Sequence, residues 1–254
     1  MKRFIVGSNW KMNSTVEESL SRIDKIEELL GDFKAFPIFI LPPFTSLDAV
    51  SKRLQNRWIK FGAQNMHWET AGAYTGEISA PMLKELGCKY VMLNHQERRV
   101  YFNETNRTSN AKLHTAFSFM LQPILCIGEE DRASFSKTKN FLEHQLSELL
   151  DGLKPEEIGR ILFAYEPLWA IGESEAAPAD YIEQVHKIIR DKLSTICGPE
   201  IAKKTFIIYG GSVDLDNALD IALQTDVDGL FIGRAGLEPE KFVTIIKAVY
   251  QSIA

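Results

Sequence analysis

A closed (β/α)8 barrel is the fold class this chain predicts, on three observations. Short runs rich in Ile, Val, Phe and Leu alternate with longer amphipathic stretches along the whole sequence, and eight such runs are present. The runs are apolar on both faces, as strands covered on both sides must be, which favours a parallel sheet threaded by crossover helices. Nearly every run ends, on its carboxyl side, in residues capable of chemistry, and in a barrel those ends converge on one face. An open doubly wound sheet is the competing architecture, but no GxGxxG fingerprint follows the first run.

In chain order, "RFIVGSNW" ends in Asn9 with Lys11 just beyond. The segment "TVEESLSRIDKIEELLG" then sets Val16, Leu20, Ile23, Ile26 and Leu30 on one helical face, with Gly31 as a stop. "FPIFILP" is the second strand, and "WIKFGAQN" the third, closing on Gln64 and Asn65. "KYVMLNH" is the fourth and passes directly into Asn94, His95, Gln96, Glu97, Arg98 and Arg99. "QPILCIGE" leads to Glu129 and "RILFAYEP" to Glu166. Pro178 in "PADYIEQVHKIIRDKLSTI" suits a helix start. "TFIIYGG" brings up Gly210, Gly211 and Ser212, and "VDGLFIGR" ends in Gly233 and Arg234. The change of character is sharpest in "VMLNHQERRV". A solvated turn is the ordinary explanation for such a polar knot; the sharper one is that a strand delivers His95 or Glu97 into a reaction site.

Composition bounds the function. A length of 254 residues is common for barrels built as one domain, and no stretch resembles a linker, so a single domain over residues 1–254 is expected. The net charge of −5 is spread along the chain, with no basic stripe for nucleic acid or an anionic membrane. No apolar stretch approaches the length of a membrane span, and the run in "MKRFIVGSNW" is too short for a signal sequence. The three cysteines, Cys88, Cys126 and Cys197, are far apart and form no CxxC, so neither a disulfide framework nor a zinc site is suggested, and a cytoplasmic location fits.

Seven motifs carry a family resemblance that spans the chain in order: "NWKMN" from Asn9, "GAQN" from Gly62, "GAYTGEIS" from Gly72, "CIGE" from Cys126, "AYEPLWAIG" from Ala164, "YGGSV" from Tyr209 and "DGLFIG" from Asp228. Together they resemble the triosephosphate isomerase family, whose fold is the (β/α)8 TIM barrel. Around His95 the family usually shows Gly-His-Ser-Glu-Arg-Arg, where this chain has "NHQERR".

The resemblance implies an aldose–ketose isomerase moving a proton between adjacent carbons through an enediolate. Such chemistry needs a base at carbon and an electrophile at oxygen. Glu166 matches the family's base; a lone strand-end Glu would by default pair with an Arg or cap a helix, but Pro167 and "LWAIG" follow here as the hinge-like entry to a closing loop. His95 matches the electrophile. A neutral histidine working beside a glutamate base is the known pattern of this same family, so that pairing is implied by likeness alone. The other histidines, His67, His114, His144 and His186, are expected to be core residues satisfied by backbone. Lys11 resembles the family's positive charge beside substrate, and Asn9 its hydrogen-bonding neighbour. Glu97 would hold Lys11; its ordinary alternative is a salt bridge to Arg98 or Arg99. The phosphate of the substrate would be held by Gly172, Ser212, Gly233 and Arg234, largely through backbone amides. Proton transfer of this kind calls for no metal and no organic cofactor.

The resemblance also implies a homodimer, with the loop around Tyr74 and Thr75 reaching into a partner subunit and with Asn65 in the interface; its aromatic and apolar residues would be awkward left exposed. Departures from the family pattern are Asn94, Gln96, the trio Glu173, Ser174 and Glu175 in place of Thr-Gly-Lys, and Arg234 in place of a second glycine. They are expected to surround the site and to lower efficiency on the triose. A four-carbon ketose phosphate, such as erythrulose phosphate, is the alternative substrate, and a barrel that has lost catalysis is a weaker reading because Lys11, His95 and Glu166 are all present.

Overall fold

The computed structural model of the chain describes residues 2–170 and 176–253. Eight parallel strands, β1 (Ile5–Asn9), β2 (Ile38–Leu41), β3 (Lys60–Ala63), β4 (Tyr90–Leu93), β5 (Gln122–Ile127), β6 (Leu162–Tyr165), β7 (Phe206–Tyr209) and β8 (Gly229–Ile232), close into a barrel in sequence order. Closure is made by β1 against β8, with Ile5 opposite Gly229 and Ser8 opposite Ile232. Each strand falls inside one of the eight apolar runs. Around them run α1 (Val16–Leu30), α2 (Leu47–Leu54), α3 (Ala80–Glu85), α4 (Gln96–Phe102), α5 (Asn106–Ser118), α6 (Phe135–Leu149), α7 (Pro155–Ile158), α8 (Ala179–Cys197), α9 (Pro199–Lys204), α10 (Ala218–Ala222) and α11 (Pro239–Ile253). None of the described helices is long and apolar enough to cross a membrane.

The strands are buried almost throughout because they face two cores. One lies between sheet and helices; the other fills the barrel with Ile5, Phe39, Tyr90, Met92, Leu162 and Phe231 among its members. The large rings fit because small residues face them. A Cβ on Gly7 would lie 1.9 Å from the Phe39 ring, and one on Gly62 would meet the Tyr90 backbone and Cβ. Phe39 thereby packs at 4.8 Å from Tyr90 and 5.7 Å from Phe231, centroid to centroid. Inward residues recur every second position along a strand. Ile5 and Gly7 are thus followed inward by Asn9, and Leu162 and Ala164 by Glu166. The packed core supports the floor on which polar groups stand.

Local sequence sets the helix ends. Thr15 caps α1 and accepts from the Glu18 amide, while the Glu18 side chain accepts from the Thr15 amide. Pro178 is the N-cap of α8, in keeping with its place in the sequence. The buried stripe of α1 differs from the expected one: Ile23, Ile26 and Leu30 are buried, but Ser19 joins them, Leu20 is half-buried and Val16 is 39 % exposed. The reason is a polar contact that periodicity cannot show, since Ser19 Oγ donates to Ser46 Oγ at 3.0 Å and is satisfied inside.

The histidines divide. His186 is buried with Nδ1 3.2 Å from the Asp226 carbonyl, and buried His67 accepts from the Glu69 amide. His114 and His144 are exposed, contrary to expectation, because they lie on the outward faces of α5 and α6. The stripe of α1 sets up a stability test. Ile23→Ala should cost about 2–5 kcal/mol in urea unfolding, whereas Val16→Ala should stay within about 0.5 kcal/mol; equal losses would contradict the observed face.

Candidate active site

The strand ends surround a cavity of about 340 Å3, lined among others by Asn9, Lys11, His95, Glu166, Ser212, Gly233 and Arg234. Eight strands ending on one face are what bring these residues, scattered over the sequence, to one place.

Glu166 follows β6 and is 3 % exposed. Burial lifts its carboxyl to about 8, against the pull of Lys11 and of the Cys126 thiol beside it. Its Oε2 accepts no hydrogen bond among the described residues, and stands 3.5 Å from His95 Nε2. Space for this carboxylate is made by Gly210, where a Cβ would fall 2.7 Å from Glu166 Cγ and 2.8 Å from Oε1. The glycine pair, which in the sequence suits a phosphate turn, thus has another duty. Cys126 is a site residue that the sequence reading misses; its inward position on β5, which carries it to the acid, follows from the alternation of Ile124 and Cys126.

His95 is the N-cap of α4 and its Nδ1 accepts from the Glu97 amide at 3.3 Å. Burial holds its ring down to about 4, with Glu97 opposing. The ring is neutral at physiological pH, and with Nδ1 accepting, its proton sits on Nε2. Asn9 Nδ2 lies 3.5 Å from that nitrogen. The Asn9 amide is oriented by its Oδ1, which accepts from the Lys11 backbone at 2.9 Å. Two N–H donors this close cannot bond each other, but they can share one oxygen between them.

Lys11 has φ 51, a left-handed conformation uncommon for a residue with a side chain. The Asn9 side chain holds its amide, and Gln64 Nε2 donates to its carbonyl at 2.8 Å. Gln64, in sequence no more than a polar strand end, is therefore part of the support of the site. The Lys11 ammonium contacts Glu97 Oε1 at 2.6 Å. The alternative partners of Glu97 are engaged elsewhere: Arg98 with Glu104 at 2.8 Å, Arg99 with the Gly128 carbonyl at 3.0 Å.

At the far end of the cavity, Ser212 Oγ donates to the Ala170 carbonyl at 3.0 Å, and Gly233 leads into a short 3-10 turn over Arg234–Leu237. Gly172, Glu173, Ser174 and Glu175 lie outside the described residues. Trp169 Nε1, Tyr165 Oη and Tyr181 Oη all donate to Glu129, and Tyr209 Oη accepts from the Ala177 amide. Of the other residues expected to depart from the family pattern, Arg234 lines the cavity, while Asn94 and Gln96 do not. Asn94 has φ 61, where Asn substitutes readily for glycine, and its side chain is fully buried against β5 and α5. Among the described residues, no cluster of three or more His, Cys, Asp or Glu is arranged to hold a metal.

Comparison with known proteins agrees with this geometry. A family model described as triosephosphate isomerase matches residues 4–249. The triosephosphate isomerase of Dictyoglomus turgidum is 43 % identical over 249 residues, covering 98 % of this chain and 100 % of its own length. That of Alkaliphilus oremlandii is 42 % identical over 248 residues, with 97 % and 99 % covered. That of Dehalococcoides mccartyi is 42 % identical over 248 residues, with 97 % and 96 % covered. A match that runs nearly end to end, at this identity and over the same strand ends that line the cavity, means that the chain belongs to the triosephosphate isomerase family.

Proposed function

We propose that the chain interconverts dihydroxyacetone phosphate and D-glyceraldehyde 3-phosphate by proton transfer through an enediolate. The observation that carries the reading is a buried carboxylate with one oxygen unbonded among the described residues, 3.5 Å from a neutral imidazole and on a cavity that also receives a lysine. Glu166 takes a proton from the carbon beside the carbonyl. Its raised basicity narrows the gap to a weak carbon acid. His95 Nε2–H and Asn9 Nδ2–H point their donors at the substrate oxygens, where negative charge develops, and the Lys11 ammonium stabilises that charge. Transfer of the hydroxyl proton from one substrate oxygen to the other, beside His95 Nε2, and return of the abstracted proton to the neighbouring carbon complete the isomerisation. Glu97 is the positioning partner of Lys11. Ser212, Gly233 and Arg234 hold the phosphate, together with Gly172 of the segment outside the described residues.

A four-carbon ketose phosphate is the second reading, favoured by Arg234 on the cavity wall. Asn94 and Gln96 do not argue for it, being away from the cavity lining. The substrate-shift reading therefore rests on Arg234 and on residues 173–175, which lie outside the described residues. A cytoplasmic location is part of the same reading. So is a homodimer. Met12 is 97 %, Tyr74 43 % and Tyr101 74 % exposed on segments that follow β1, β3 and β4, an apolar display that a second copy would cover. Thr75 is exposed beside Tyr74, whereas Asn65 is buried within its own chain, accepting from Lys112 Nζ at 2.9 Å, and would brace the interface from beneath.

Glu166→Gln should lower kcat by about 10²–10⁴-fold on the triose phosphates, the range of a positioned base, with circular dichroism unchanged; retention of a tenth of the rate would remove Glu166 from the mechanism. Lys11→Met should damage both KM and kcat, and unchanged steady-state parameters would make that lysine incidental. Sedimentation velocity should report a dimer, and a fully active monomer at nanomolar concentration would contradict the assembly.

A further inference from the structure

Asn94 stands immediately before His95 yet takes no part in the cavity. Its side chain is 0 % exposed, and each of its polar groups is engaged. The amide Nδ2 donates to the Cys126 carbonyl on β5 at 2.9 Å, and Oδ1 accepts from Ser109 Oγ on α5 at 3.1 Å. Its backbone N–H donates to Glu104 Oε1 at 3.0 Å. Glu104 is itself clamped by Lys112 Nζ at 2.6 Å and Arg98 Nε at 2.8 Å, and its Oε1 lies 3.0 Å from the same Ser109 hydroxyl, whose single proton is shared between the two acceptors. All these groups are buried except Arg98, which is partly so. The carbonyl held by Asn94 belongs to the residue whose thiol lies beside Glu166. One amide side chain therefore fastens the end of the strand that presents His95 to the strand that packs against the base.

The geometry points to Asn94 as a positioning residue of this enzyme, one that fixes the His95 imidazole relative to Glu166 by tying the end of β4 to β5 and α5. The inference rests on the isomerase reading above only for its kinetic consequence. Its structural content is independent of substrate. A glycine would satisfy the left-handed φ of 61 equally but would supply no side chain. The asparagine meets the same backbone demand and adds a brace. Without it, the Cys126 carbonyl and the Ser109 hydroxyl each lose a buried partner, and the peptide leading into His95 is held on one side only. A displacement of the imidazole by a fraction of an ångström changes where its Nε2–H meets the substrate oxygen, which acts on the chemical step more than on binding.

The test uses Asn94→Gly in the full chain, a substitution compatible with the local φ, and Ser109→Ala, which leaves Asn94 in place but removes one of its anchors. For Asn94→Gly we expect an intact fold by circular dichroism, KM within about twofold and kcat on glyceraldehyde 3-phosphate reduced about ten- to a hundredfold, the scale of misplacement effects. Ser109→Ala should shift kcat in the same direction by a smaller factor, and it decides the matter if the glycine variant does not fold. Nitrogen-15 spectra of the His95 ring, recorded without substrate, should differ between wild type and Asn94→Gly. A kcat within twofold of wild type, or a loss confined to KM, overturns the inference, as does an unchanged His95 ring spectrum. Wild-type protein that fails to isomerise the triose at all would instead refute the proposed function, and the ring spectra would still report on Asn94.

Discussion

Burial of the Glu166 carboxylate is the constraint on which the rest of the site depends. A carboxyl group shut away from water, with one oxygen unbonded among the described residues, is unfavourable as an anion, and the structure responds by raising its proton affinity instead of pairing it with an arginine. The surroundings are consistent with that choice. Gly210 leaves the room, the interior core beneath it excludes solvent, and the lysine that would neutralise it is drawn off to Glu97 at 2.6 Å. His95 is pushed in the opposite direction by the same burial, down to about 4. An acid made reluctant to ionise and an imidazole made reluctant to protonate form a pair whose environments set their roles apart.

The barrel can hold such a pair because closure and core packing set the positions of its strand ends. Closure of β1 on β8 and the nested rings of Phe39, Tyr90 and Phe231 fix the strand ends. Strain is confined to single residues with local restraints. Lys11 in its left-handed conformation is held by Asn9 and Gln64, and Asn94 by the cluster around Glu104. Polar groups thus brace the residues that face the cavity from behind, while the apolar core carries the stability.

Much of the fold is legible in the sequence because strands covered on both faces cannot disguise themselves: every strand lies within an apolar run. The site is legible as far as strand ends go, since Asn9, Lys11, His95, Glu166, Ser212, Gly233 and Arg234 do line one cavity. What escapes depends on partners distant in the chain. Ser19 is buried because Ser46 meets it, 27 positions away, and no periodicity of α1 could say so. Asn94 looks in sequence like part of a substrate rim, but its partners on β5 and α5 draw it away from the cavity. The choice of Glu97 between Lys11 and two neighbouring arginines is open in sequence because all three are within plausible reach; the distances decide for Lys11.

The central claim, that burial turns Glu166 into an unusually basic carboxylate, is open to direct titration. Protein labelled with carbon-13 at the glutamate carboxyl would give a signal for Glu166 identified by its loss in Glu166→Gln, and its chemical shift can be followed against pH without substrate. The account predicts a midpoint near 8. A midpoint near the ordinary glutamate value of about 4.3 would contradict it.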